Sequence, residues 1–123
     1  GSTKPKQYMQ IDQGIDETML ADLQQLFPET ILPTAGDVSY QYYKYTSILE
    51  NSLHISLGET LDEASFQREA ARIDALPMLT SGTRTEGEGI TLIDVKTPEG
   101  LLLHLSLDAA CHRIIYSASC QQY

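Results

Sequence analysis

An α+β fold with a predominantly antiparallel sheet follows from three features of the sequence. One long amphipathic helical pattern runs from Thr60 to Leu76, strand-like alternation lies on both sides of it, and turn residues separate neighbouring strands. The elements read α-β-β-α-β-β-β, with the helices expected on one face of the sheet. At 123 residues and 41% hydrophobic composition, the chain can bury one core and is too short for two. The expected division is a tail over residues 1–15 and a single α+β domain over residues 16–120.

The tail carries no sustained period, and Tyr8, Met9 and Ile11 are the points at which it would dock. Gly1 and Ser2, with no initiator Met after them, read as an expression scar, so an upstream secretion signal or membrane anchor is expected. Asp16 is positioned as the N-cap of a helix whose stripe is Met19, Leu20, Leu23, Leu26 and Phe27 and which Pro28 stops. Beyond Pro33 and Gly36, the stretch from Val38 to Tyr45 is strongly β-prone. Tyr40 and Tyr42 share one face with Val38, while Tyr43 and Tyr45 share the other with Ser39 and Gln41. A turn at residues 46–51 leads into Leu53, Ile55 and Leu57, which alternate with Ser52, His54 and Ser56 up to Gly58, the expected strand end.

The central helix has two possible N-caps, Thr60 in capping-box spacing with Glu63, and Asp62. Phe66, Ala70 and Ile73 form its apolar stripe and Pro77 ends it. The stretch from Met78 to Thr85 is mixed in period, and Glu86 to Gly89 reads as an acidic loop tip. From Ile90 to Lys96 both parities are apolar, which fits a central strand or one containing a bulge. Thr97, Pro98, Glu99 and Gly100 form a turn. Leu101, Leu103, Leu105 and Leu107 then make one aliphatic face, and a last strand from Arg113 to Ser119 puts Ile114, Tyr116 and Ala118 on one side. The C-terminal part is thus a three-strand meander.

Phe27, Pro28, Ile31, Ala35, Val38, Tyr40 and Tyr42, then Phe66, Glu69 and Arg72, then Asp108, Arg113, Ile114, Tyr116 and Ser117 carry a resemblance that spans most of the folded chain. The sequence resembles small uncharacterised extracytoplasmic or lipoprotein-attached domains of Gram-positive bacteria. That resemblance implies a domain outside the cytoplasm, held at the membrane through an N-terminal segment, and no catalytic residue follows from it.

Eight Lys and Arg stand against 17 Asp and Glu, a net charge of −9, and the cations are scattered, so a nucleic-acid partner is not expected. No apolar run approaches the roughly 20 residues that cross a bilayer. No nucleophile elbow, glycine-rich phosphate loop or metal-ligand spacing occurs, and no cofactor or metal is expected. The leading expectation is a non-enzymatic binding or interaction domain with a protein partner or a membrane-attached assembly. Its contact surface is the tyrosine strand, Tyr40, Tyr42, Tyr43 and Tyr45, rings that cross-strand packing would also explain. The alternative is a small hydrolase or metal protein in which His54 and His104, on the polar parity of their strands, meet Asp94 or Asp108. Cys111 and Cys120 would pair in a secreted chain, but an extended strand between them holds them roughly 25 to 30 Å apart, so two unpaired thiols are expected, with Cys120 available for an intermolecular bridge.

Overall fold

In the computed structural model, which describes residues 7–11, 14–49 and 51–121, six antiparallel strands form one sheet accompanied by two helices. In chain order the elements are α1 (Glu17–Leu26), β1 (Gly36–Thr46), β2 (Asn51–Thr60), α2 (Glu63–Asp74), β3 (Thr83–Gly87), β4 (Ile90–Lys96), β5 (Leu102–Asp108) and β6 (Arg113–Cys120). The order across the sheet is β1-β2-β6-β5-β4-β3, so an N-terminal hairpin joins a C-terminal meander along the β2–β6 seam. A long connection that carries α2 joins the two blocks.

Both helices start on an aspartate. Asp16 Oδ1 accepts from the amides of Thr18 (2.9 Å) and Met19 (3.2 Å), and Asp62 Oδ1 accepts from the Ser65 amide (2.8 Å). Asp62 rather than Thr60 is therefore the cap of α2, because Thr60 is still paired with Arg113 as the last residue of β2. The backbone and side-chain hydrogen bonds from Ser65 hold the Asp62 carboxyl below its usual pKa. Pro77 opens a short 3₁₀ turn, Pro77–Leu79, after α2 has ended.

One side of the sheet carries the core. Leu53, Ile55, Leu57, Ile93, Val95, Leu103, Leu105, Leu107, Ile114, Tyr116 and Ala118 bury together with Met19, Leu23 and Leu26 of α1 and Phe66 and Ile73 of α2. Directly opposed residues of an antiparallel pair share a face, so Tyr40 (opposite Leu57) and Tyr42 (opposite Ile55) lean to the core. Tyr43 (opposite His54) and Tyr45 (opposite Ser52) point away from it.

Four expectations are corrected. A sixth strand, β3, occupies residues 83–87; every residue in it is exposed, so no apolar alternation betrays it, and it forms by pairing with β4. Its two-residue turn, Glu88 and Gly89, has positive φ at both positions (54° and 79°), the geometry whose twist matches a hairpin, so only these two of the presumed loop residues 86–89 are outside strands. β4 lies next to the edge rather than at the centre and pairs with β5 without a break, leaving Ile90 and Leu92 exposed on the outer side. β2 does not stop at Gly58, where an added Cβ would lie 2.6 Å from Arg113 Nη2; the strand runs two residues further and carries Glu59 inward. The tail docks where expected, but Met9 and Ile11 are core members, so packing extends upstream of Asp16.

No disulfide joins Cys111 and Cys120: Cys111 is exposed in the turn before β6 and Cys120 is buried at its far end. Cys120 is thus poorly placed for an intermolecular bridge. No helix among the described residues is long and apolar enough to cross a membrane.

Candidate functional site

The outer face of the sheet is open. Tyr43 and Tyr45 are each 59% exposed, and the hairpin tip beyond them carries Ile48 and Leu49 at 103% and 92% exposure. Tyr43 stacks on His54, with ring centroids 6.3 Å apart. Leu102, Ile115, Leu92 and Ile90 add exposed aliphatic surface further across the same face. These aliphatics lie on the face opposite the core and contribute little to it. Of the four tyrosines singled out in the sequence, Tyr43 and Tyr45 thus lie on this surface. Tyr40 and Tyr42 are half-buried; the Tyr40 hydroxyl donates to the Met9 carbonyl and its ring meets Tyr8 edge to face at 5.7 Å. Burial pushes the Tyr40 phenol up to about 12.

His54 and His104 do share the outer face, but β6 lies between them. His54 is opposite Ser119 and His104 opposite Ser117, so they stand two strand spacings apart across the sheet and two residues apart along it, roughly 12 Å. His104 Nδ1 lies 2.7 Å from Asp94 Oδ1. Asp94, His104 and Ser117 therefore follow one another across β4, β5 and β6. The row has the composition of a hydrolytic triad without its setting: the Asp94 and His104 side chains are 63% and 43% exposed, and the strand amides around them belong to the sheet ladder and cannot hold an oxyanion. His112 instead packs against the Phe66 ring at 5.5 Å. Among the described residues no group of three His, Cys, Asp or Glu could hold a metal ion.

On the core side, at the end of β2, lies a second polar arrangement. Glu59 is 2% exposed, and its Oε2 is 3.1 Å from the Tyr116 hydroxyl. The same hydroxyl is in hydrogen-bond contact with Glu69 Oε2. Glu69 is held by Arg72, whose Nε is 2.5 Å from Oε1, and Arg72 also donates to the carbonyls of Gln25 and Leu26 (both 2.7 Å), tying α2 to the end of α1. A phenol has one proton and cannot donate to two carboxylates at once. The two carboxyls therefore compete for one phenolic proton: burial raises the Glu59 carboxyl above its usual range and the Glu69 charge adds to this, against the opposing hydrogen bond from Tyr116 and the Arg72 charge, whereas Glu69 has the Arg72 guanidinium beside it. Burial and the same two carboxylates push the Tyr116 phenol far up, so it stays protonated.

Among the described residues Glu59 Oε1 has no hydrogen-bond partner. The residue lines a pocket of about 290 Å³ between α2, which contributes Ser65, Arg68, Glu69 and Arg72, and the connection 28–32. Glu59 escaped the sequence reading because the strand was expected to end at Gly58. The signal was present, since residue 59 continues the inward parity of Leu53, Ile55 and Leu57.

No protein-family model matches this chain. Neither does any curated protein or solved structure.

Proposed function

We propose that this chain is a non-enzymatic interaction domain that meets a protein partner through the outer end of its N-terminal hairpin. The observation that carries the reading is the continuous exposure of Tyr43, Tyr45, Ile48 and Leu49. Rigid aromatic rings give contact area at small rotamer cost, and two fully exposed aliphatic residues at a hairpin tip contribute nothing to the domain's own core. β1, of 11 residues, also lies at one end of the strand order, the position at which an incoming strand adds to a sheet. The net charge of −9 favours a cationic or neutral partner over an anionic one. A location outside the cytoplasm, tethered to the membrane, belongs to the same proposal and is supported by the resemblance to extracytoplasmic domains. The hydrolase or metal alternative has less support, because His54 and His104 are separated by a strand.

A photo-crosslinking amino acid placed at Tyr45 or Leu49 in producing cells tests the reading. Discrete adducts are expected from these positions and not from Glu63, an exposed position on α2. Loss of those adducts on Tyr43→Ser with Ile48→Ser would confirm the surface. Adducts of equal yield at all three positions would refute it.

A further inference from the structure

The geometry points to the pocket between α2 and the connection 28–32 as a binding site for a primary ammonium group on a short aliphatic stem. It is separate from the outer face, since Glu59 projects to the opposite side of the sheet from Tyr43 and Tyr45. A buried acceptor left without a donor is costly, and native structures leave few of them. Glu59 Oε1 is such an acceptor, on a carboxyl group that lines an open pocket.

Charge then selects the donor. Three carboxylates, Glu29, Glu59 and Glu69, line the pocket with two guanidiniums, Arg68 and Arg72. Arg72 is spent: its nitrogens bond the Glu69 carboxylate and the carbonyls of Gln25 and Leu26. Arg68 donates to Ser65 Oγ at 3.0 Å and sits by the Asp62 charge. Glu59 and Glu69 share the Tyr116 hydroxyl but have one guanidinium between them, so the pair lacks one positive charge. An ammonium supplies that charge and brings N–H donors for Oε1, whereas a carboxylate or phosphate would add to the repulsion. Pro28, Leu32 and Leu61 supply apolar wall for the stem. A lysine side chain and a free alkylamine both present this chemistry.

Two probes separate those sources: n-butylammonium, and lysine acetylated at its α-amine and methylamidated at its carboxyl. Calorimetry and amide chemical shifts would be followed for the intact chain, with n-pentanol as the uncharged control. Saturable binding of either probe is expected, with shifts at Glu59, Ser65 and Glu69 and with binding at least ~10-fold weaker for the alcohol. Binding by the small amine alone assigns a free amine; binding by the lysine derivative assigns a side chain of another protein. Binding should release protons and tighten as pH rises, because the ammonium favours the ionised carboxyl; among the described residues Glu29, Glu69, Arg72, Arg68, Tyr116 and Tyr8 are the other charged or titratable groups facing Glu59 or lining its pocket. Glu59→Gln keeps a group that can reach Tyr116 and should lose the amine at least ~10-fold. Thr30→Trp, at an exposed position of the rim, should block the pocket without touching the core. No saturable binding of either amine, equal affinity for pentanol, or unchanged affinity in Glu59→Gln would each overturn the assignment, the last two even if the outer-face reading stands.

Discussion

Removing one oxygen, in Tyr116→Phe, tests the proton-sharing arrangement at the end of β2. The hydroxyl stands 3.1 Å from Glu59 Oε2 and contacts Glu69 Oε2, while the ring is fully buried and stacked on Phe27 at 5.8 Å. Phenylalanine preserves the packing, so the change isolates the polar term. A hydrogen bond to a charged group is worth about 1.5 to 3 kcal/mol, and Glu59, without a donor at Oε1 among the described residues, would also lose its contact with the Tyr116 hydroxyl. A net loss of about 2 to 4 kcal/mol is expected in urea unfolding, with an unchanged slope. Glu59→Leu removes the stranded group itself and should be close to neutral, since replacing a buried polar group by an apolar one of similar volume is often tolerated. The double variant should then cost less than the sum of the singles, with a coupling of about 0.5 to 3 kcal/mol. The pH dependence has a definite sign. Because the folded carboxyl of Glu59 titrates above its ordinary value of 4.5, the folded state binds more protons between the two values. Its contribution is therefore fullest below that ordinary value and declines as pH rises through the raised folded pKa. Glu59→Gln should remove this part of the slope. Additive costs within ~0.5 kcal/mol, or a Tyr116→Phe loss below that figure, would show that the hydroxyl does not hold the two carboxyls together.

Leu105 is fully buried in β5, and Leu105→Ala should cost about 2 to 5 kcal/mol through the cavity it leaves, read as a lower urea midpoint. Two glycine substitutions should differ in degree. An alanine Cβ at Gly58 meets the tip of the Arg113 side chain, which can swing away at the expense of its bonds to Asp37 and Thr60, for about 1 to 2 kcal/mol; at Gly82 it lies 2.4 Å from the Asp94 backbone oxygen, which cannot yield so easily. Gly82→Ala should therefore be the more damaging of the two in thermal unfolding. For the thiols, Cys111 should react with a thiol reagent in the folded chain and Cys120 only after unfolding, followed by mass spectrometry of the labelled peptides. Immediate labelling of both would place the end of β6 outside the core.

What the sequence determines here is whatever repeats along one element. The helix stripes, the alternation of Leu101 to Leu107, the two faces of the tyrosine strand and the separation of the cysteines are all set by local period, and the structure has each of them. Asp16 and the 97–100 turn are legible for the same reason, since capping and turn chemistry act within a few residues. Pairing decided the rest. β3 has no buried residue and exists because β4 offers it an edge, with Arg84 bonded to Asp74 at the end of α2. The place of β6 between β2 and β5 separates His54 from His104, a matter of strand order on which neither strand's own residues bear. The acid cluster is further still from local rules: Glu59, Glu69 and Tyr116 come from three elements and meet only after α2 has folded over the sheet. A carboxyl stranded between a phenol and a pocket is a property of that meeting, because burial and the shared proton act through space and leave no periodic mark on the chain.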